Sequence, residues 1–418
     1  MESHGNFLLF SHIRRSLSFF TESITLMMYD VIIVGAGPAG STCARTCAQQ
    51  GLKTLMLERD TFPRSKPCAG AVSMQALSYL DFSLPDAIIE EECNGVRVHQ
   101  GDHVVSAKRD TPFAVIVTRK YFDALLAEKA VESEADFHTN EQVIGVRDSK
   151  DFVEVATKNA NYRSSFLVGA DGIHSQVAQS LRPPLDKGSM ALALVSQISA
   201  DEQNIRNRLD KTLDLYFGTA PVGYGWLFPH RGYLSTGIAG LATRFSSPRE
   251  ALMELAKTLN VKLSDVHGHF IPFGGIRRII AGGRILLAGD AAGFADPFHG
   301  EGISHAIHSG KLAAYAITDA IKYQQRPAAA VMQYCHEADK RIRKQLRVAL
   351  RMAHWLDSYP GFFLRIFFEH PEALMRFLDI PAGRTDYLHF QRWVLLHLPF
   401  LLLPGDGKAR TNTSQVIS

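Results

Sequence analysis

The chain has 418 residues, 46% hydrophobic and 21% charged, a globular composition with length enough for two or three packed units. A formal net charge of +3 is too small to argue for a nucleic-acid partner. The five cysteines show no paired metal spacing, which excludes a zinc knuckle and a CxxC redox pair; free thiols in a reducing, cytoplasmic setting and no bound metal are expected.

Residues 1–28 precede the first clear element and are expected to be an unfolded extension, with only a weak likeness to a presequence at Arg14 and Arg15. From Tyr29 to Asp60 the pattern is strand, turn, helix, strand. Val31–Val34 is a β-branched run of the kind buried in a parallel sheet. Gly35, Gly37 and Gly40 follow in G-x-G-x-x-G spacing and open a helix running to about Gln50. These glycines allow a tight turn and close approach of backbone to a pyrophosphate, which rests on the helix N-terminus. A second strand, Thr54–Leu57, ends at Glu58, placed to accept from a ribose 2′-hydroxyl.

KPCAGAVS, Lys66 to Ser73, then puts the lone thiol of Cys68 in a turn just ahead of a helix start. In 117–130 Arg119 opens a helix with Asp123 on its first turns, and 166–179 is an apolar strand ending in Asp171-Gly172. In 213–240, Tyr224, Trp226 and Phe228 fall at i, i+2 and i+4, so a strand points all three to one face. The pattern fits core packing as well as a ligand wall. Residues 284–314 read as a strand, Gly289-Asp290, and a glycine-rich turn through Gly300 and Gly302 that opens a long helix at Ile303. His299 in that turn either touches a ligand or faces solvent, and His305 and His308 lack a carboxylate at metal-ligand spacing.

Six basic residues between Lys340 and Arg351 alternate with apolar ones, and Trp393–Pro404 is an apolar run too short to span a bilayer. This end fits either lying on a membrane surface, peripheral to the inner face of the cytoplasmic membrane, or capping the nucleotide-binding unit with a solvated basic face.

The three separated nucleotide-binding segments resemble FAD flavoproteins of the p-hydroxybenzoate hydroxylase and geranylgeranyl reductase type. PVGYGWLFP matches the P-x-x-Y-x-W-x-F-P motif of geranylgeranyl reductases at Pro221, Tyr224, Trp226, Phe228 and Pro229. KPCAGAVS looks like that family's K-x-C-G-G segment at Lys66, Cys68 and Gly70, with Ala69 where the family often has glycine. The resemblance covers about residues 29–325. It implies an α/β fold: a discontinuous Rossmann-like FAD-binding domain (29–75, 110–182 and 275–325), an antiparallel substrate sheet (76–109 and 183–274) and a helical C-terminal region (326–418). It also implies that Ala39, Arg59, Cys68, Ala69, Gly70, Arg119, Val143, Asp171, Asp290 and Ile303 join the glycines at the cofactor, and that Tyr216 joins the aromatic wall.

The chemistry so implied is hydrogenation of isolated double bonds in a geranylgeranyl chain on a lipid, quinone or tetrapyrrole ester. No carbonyl polarises such an alkene. A proton must reach the less substituted carbon while hydride is held near the tertiary one, and Cys68 is the candidate to give or position that proton. The three aromatics are suited to stabilising the cation and gripping the chain. NADPH, NADH or a ferredoxin-like protein would re-reduce the flavin, since no second G-x-G-x-x-G is present. A flavin monooxygenase or halogenase, whose W-x-W-x-I-P segment GYGWLFP half resembles, and a non-catalytic isoprenoid-carrying flavoprotein are the competing readings.

Overall fold

The computed structural model describes residues 28–403, so the expected extension, apart from Met28, lies outside the described residues. Met28–Val34 runs parallel to Thr54–Leu57 on one side and to Asn161–Gly169 on the other. Asp136–His138 and Ile285–Leu287 complete the parallel set, within a sheet of eight strands. The helices Pro38–Gln49 and Ile303–Lys322 pack together over it. Ile32 and Ile33, which point to opposite faces, are both wholly buried, as are Leu55, Met56, Leu57 and Leu167, so both sheet faces are covered. Continuous rather than alternating hydrophobicity is the signature of such strands.

A second sheet of seven strands stands beside the first, in the order Val266–Pro272, Met190–Ser199, Tyr233–Leu241, Tyr224–His230, Thr212–Phe217, Gly95–Gln100, His103–Lys108. It is antiparallel at every junction but one: Gly95–Gln100 lies parallel to Thr212–Phe217. A parallel neighbour needs a long crossover, and here more than a hundred residues separate the two strands. One face packs on the helices Glu202–Leu209 and Pro248–Leu259 through Leu194, Leu227, Ile238 and Leu252. A small sheet of Ala71–Ser73, Ala114–Ile116 and Glu91–Cys93 lies where the two large sheets meet.

The other face is covered from the C-terminal region. The helix Pro327–Ala338 passes through a π turn, Asp339–Arg343, into Lys344–Ser358. Tyr334, Ile342 and Leu346 sink into the core of the first sheet, whereas Val348 and Met352 belong to the core on the second. The basic stretch is thus a bridge, with Lys340, Arg341, Lys344 and Arg347 facing solvent. Pro360–Glu369, Pro371–Leu378 and Tyr387–Leu401 then lay Leu364, Phe367, Leu374 and Phe390 over Val96, Val195, Leu213 and Trp226. Among the described residues no helix is long and apolar enough to cross a membrane.

One close approach ties this layering to the aromatic strand. A Cβ on Gly237 would stand 2.2 Å from the Leu194 carbonyl oxygen and 2.3 Å from Trp226 Cζ2, so the indole lies across a position with no side chain. Overpacking of this kind costs about 1–3 kcal/mol. Gly237→Ala is expected to lower the unfolding free energy by that margin, read by far-ultraviolet circular dichroism as a lower urea midpoint at unchanged m-value.

Candidate functional site

Between the first sheet, the inner face of the second and the C-terminal helices lies a cavity of about 710 Å3. Its nucleotide-like end is built by the first turn. A Cβ on Gly35 would meet the Ala170 carbonyl oxygen at 2.4 Å and one on Gly40 the Gly35 carbonyl oxygen at 1.8 Å, so both sites demand glycine for backbone packing. Gly37 differs: within 4 Å a Cβ would meet only Arg64 Nη2, at 3.6 Å, and its open side, with Pro38 and Ala39, lines the cavity. The helix behind it begins without a side-chain cap, leaving its first N–H groups for an anion.

Glu58 is buried at this turn, accepting from Ala36 N at 2.9 Å and Asp60 N at 3.1 Å. Arg59 does not join it: it turns outward and pairs with Asp60. Arg64, not singled out from the sequence, is the cation at the cradle, with Nη1 3.0 Å from the buried Asp123. Arg119 meets the same carboxylate in two hydrogen bonds of 2.7 and 2.8 Å, lines the cavity and contacts the Cys68 thiol. It is buried. Burial opposes the Arg119 charge, but Asp123 outweighs it and holds the guanidinium charged; the same pair, against its own burial, keeps Asp123 below the usual carboxylate range.

Two other expected cofactor residues lie elsewhere. Asp171 spends its carboxylate at the start of the helix Gln176–Gln179, accepting from Ser175 Oγ at 2.5 Å and Gln176 N at 2.7 Å; its neighbours Ala170 and Gly172 line the cavity instead. Val143 is core, at the first residue of the strand Val143–Asp148.

Midway along the cavity Lys66 Nζ lies 3.2 Å from Asp290, and His269 Nε2 lies 4.0 Å from the same carboxylate. Burial and then the Lys66 charge push His269 down to about 4, so it is neutral near pH 7. Gly289, Gly300, Gly302 and Ile303 line the wall beside Asp290, where the helix Ile303–Lys322 begins without a side-chain cap. Opposite them Cys68 and Ala69 line the wall, pinned from behind. His230 Nε2 is 3.0 Å from the Ala69 carbonyl oxygen, and its Nδ1 is 2.6 Å from Glu90. Gly70, at φ +90°, fits only as glycine, because a Cβ would stand 2.6 Å from His230 Cε1.

The remaining wall is apolar. Tyr224, Trp226 and Phe228 all face the cavity, as their spacing predicts, and the Tyr224 hydroxyl donates to the His299 carbonyl oxygen at 2.5 Å. Tyr216 does not join them. On Thr212–Phe217 it is Leu213 and Leu215 that face inward, so alternation sends Tyr216 to the other face, where it stacks on His99 and bonds Asp214. Phe298, His299, Phe377 and Leu378 complete the wall, with His299 Nε2 3.0 Å from the Tyr387 hydroxyl. His299 was legible as a candidate from its turn; Phe377 and Leu378 carry no motif. Among the described residues no group of His, Cys, Asp and Glu could hold a metal.

This donor set fits a flavin dinucleotide. A cradle open at Gly37, two uncapped helix starts facing one cavity, and a cation–carboxylate pair at mid-length match an elongated diphosphate with a polar ring. The FAD binding domain family matches residues 28–251. A digeranylgeranylglycerophospholipid reductase of Methanosarcina acetivorans is 30% identical over 319 residues, 70% of this chain and 76% of that protein. A geranylgeranyl diphosphate reductase of Rhodobacter capsulatus is 30% identical over 301 residues, 69% of this chain and 75% of that protein. Among solved structures, a geranylgeranyl bacteriochlorophyll reductase-like protein of Thermoplasma acidophilum superposes with a TM-score of 0.75 at 22% identity, over 90% of this chain and 98% of that one.

Since the space beside Gly37 is open to protein but would be filled by the branched side chain of valine, Gly37→Val is expected to leave the flavin-free melting temperature unchanged. It should weaken FAD retention by about tenfold or more, read as the flavin-to-protein absorbance ratio after gel filtration.

Proposed function

Because the chain belongs to the FAD-dependent geranylgeranyl reductase family, we propose that it hydrogenates isolated double bonds of a geranylgeranyl or similar isoprenoid chain carried on a lipid, quinone or tetrapyrrole ester. The observation that carries this reading is the continuity of one cavity from the Gly37 cradle, past Asp290, to the wall of Tyr224, Trp226, Phe228 and Leu213. An apolar chain entering that wall has its double bonds beside the wall segment Gly300–Ile303.

When bound, the flavin supplies the hydride. This chain's residues do the rest. Arg119 and the uncapped helix start would hold the dinucleotide's phosphates, with Arg64 behind them on Asp123, and Lys66 and Asp290 would orient its mid-section. The apolar wall and the helices Pro371–Leu378 and Tyr387–Leu401 exclude water, so a developing tertiary cation is not trapped as an alcohol. The faces of Tyr224 and Trp226 stabilise that cation by about 1–2 kcal/mol in a desolvated site. Cys68, between Arg119 and the cavity, gives the proton or positions its donor. NADPH, NADH or a ferredoxin-like protein returns the electrons.

In the anaerobic test, dithionite-reduced holoenzyme is offered geranylgeranyl lipids, quinones and geranylgeranyl chlorophyllide, and products are weighed by mass spectrometry. Gains of two hydrogens are expected. Oxygen-dependent NADPH consumption with a hydroxylated or halogenated product would replace this reading with a monooxygenase or a halogenase, respectively, and flavin irreducible by every donor would make the protein an isoprenoid carrier. Cys68→Ala is expected to retain FAD and lose most turnover; full turnover would move the proton source elsewhere.

The setting of this reaction is a membrane surface, reached peripherally. Support comes from the exposed apolar edge of the last helix and its end, where Leu396 is 80% exposed and Leu395, Phe400, Leu402 and Leu403 lie beside it. Leu396→Glu with Phe400→Glu is expected to abolish flotation with anionic liposomes while leaving FAD content unchanged; equal flotation of both proteins would contradict the membrane setting.

A further inference from the structure

The turn that carries Cys68 and Ala69 is held from behind by one side chain, His230, the last residue of the strand Tyr224–His230. The ring is buried. Its Nε2 lies 3.0 Å from the Ala69 carbonyl oxygen, an atom that can only accept. Its Nδ1 lies 2.6 Å from Glu90 Oε2. The state of Glu90 therefore decides how many protons the ring carries.

Every other group on Glu90 is a donor. The Thr118 hydroxyl gives its one proton to Oε1 at 2.5 Å, and the Arg231 backbone N–H points to Oε2 at 3.3 Å. With that proton committed, the Tyr233 hydroxyl, 3.1 Å from Thr118 Oγ1, donates in its turn. Burial opposes the charge of Glu90, but the bonds from His230 and Thr118 outweigh it and keep the carboxyl below its usual range. A neutral imidazole has a single N–H, and here an acceptor faces each of its two nitrogens. Only the imidazolium satisfies both. Neighbouring groups leave it that role. Tyr233 stacks on the ring at 4.3 Å, and burial raises its phenol to about 12, so it stays uncharged. The Arg231 guanidinium turns to the backbone carbonyls of Asp86, Ala87 and Ile89. Arg119, in contact with the Cys68 thiol, is already paired with Asp123.

The consequence for the cavity wall depends on which bond a neutral ring would keep. A carboxylate is a stronger acceptor than a peptide carbonyl, so the remaining proton stays on Nδ1, facing Glu90. Nε2 then presents a lone pair to the Ala69 carbonyl oxygen, and a hydrogen bond becomes a repulsion between two acceptors. We propose that His230 is a positioning residue, holding Cys68 and Ala69 at the cavity wall only while its ring carries both protons, so that turnover declines as the ring loses one. The statement about turnover rests on reading the cavity as a site of isoprenoid reduction; the protonation of the ring does not.

The test joins a spectroscopic titration to a rate. In FAD-loaded enzyme isotope-labelled at the histidine ring nitrogens, the His230 signals, identified by their loss in His230→Lys, are followed by NMR through a pH series. At the acid end both nitrogens should carry protons; as the pH rises, Nε2 should lose its proton while Nδ1 keeps its own. The rate is that of flavin reoxidation when dithionite-reduced enzyme is mixed anaerobically with a saturating geranylgeranyl lipid. It should fall over the same pH interval. His230→Gln is expected to lower this rate by about tenfold or more at neutral pH. His230→Lys should restore part of it and sustain it beyond the wild-type decline, since an ammonium offers three donors and has a reference pKa of about 10.4. Glu90→Gln, which removes the counter-charge, should move the proton loss and the rate decline together to lower pH. FAD content and melting temperature confirm that each variant folds. A ring that carries one proton throughout the series would overturn the proposal, as would a rate decline that stays in place while Glu90→Gln moves the titration. Two protons on the ring without flavin reoxidation by any geranylgeranyl lipid would remove the reductase reading and leave the proton assignment standing. Reoxidation at one rate in wild type, His230→Gln and His230→Lys would keep the reductase and overturn the positioning role.

Discussion

An apolar chamber tends to close on itself, because its walls gain by touching each other rather than water. A cavity of about 710 Å3 therefore needs something other than hydrophobic contact to keep its walls apart. Here the spacing is set by polar tethers across the seam. Tyr224 holds the His299 carbonyl oxygen, Lys66 holds Asp290, Ser73 donates to Glu301 at 2.6 Å, and His230 holds Ala69. Each joins a segment near residue 70 or residue 225 to a partner far along the chain. In a water-poor interior such bonds are costly to break without a replacement. The apolar packing supplies the free energy of the fold, and these few bonds decide where the packing stops.

The tethers also explain why the lone cysteine stands where it does. Cys68 and Ala69 lie between Lys66, tied to Asp290, and Gly70, whose neighbour's carbonyl is tied to His230. The intervening backbone has little freedom to retreat. Ala69, where the related segment often has glycine, lines the cavity and also packs against the core of the second sheet.

The parts of this site that sequence reasoning reached are those encoded locally. A turn that needs glycine for backbone approach announces itself by spacing, and strand alternation puts Tyr224, Trp226 and Phe228 on one face whatever the strand's neighbours are. What it missed depends on tertiary choice. Alternation alone cannot say which face of Thr212–Phe217 is inward, and Tyr216 was on the other one. Arg59 and Arg64 are both basic residues after the same strand; only the path of the intervening loop selects Arg64. Asp171 looked available because its helix-capping hydrogen bonds are visible only once that helix exists. The roof from Phe377 and Leu378 joins residues more than 100 positions from the strands it covers, through apolar side chains that any core could use.

The shared volume at Gly237 and Trp226 has a further consequence. The indole occupies the space that any side chain at 237 would need, so the two positions cannot vary independently. A smaller residue at 226 would not by itself admit a side chain at 237, because the Leu194 carbonyl oxygen, 2.2 Å from that Cβ, still bars it. The shape of this wall can therefore change through position 226, whereas position 237 is held to glycine by the backbone of the neighbouring strand as well as by the indole.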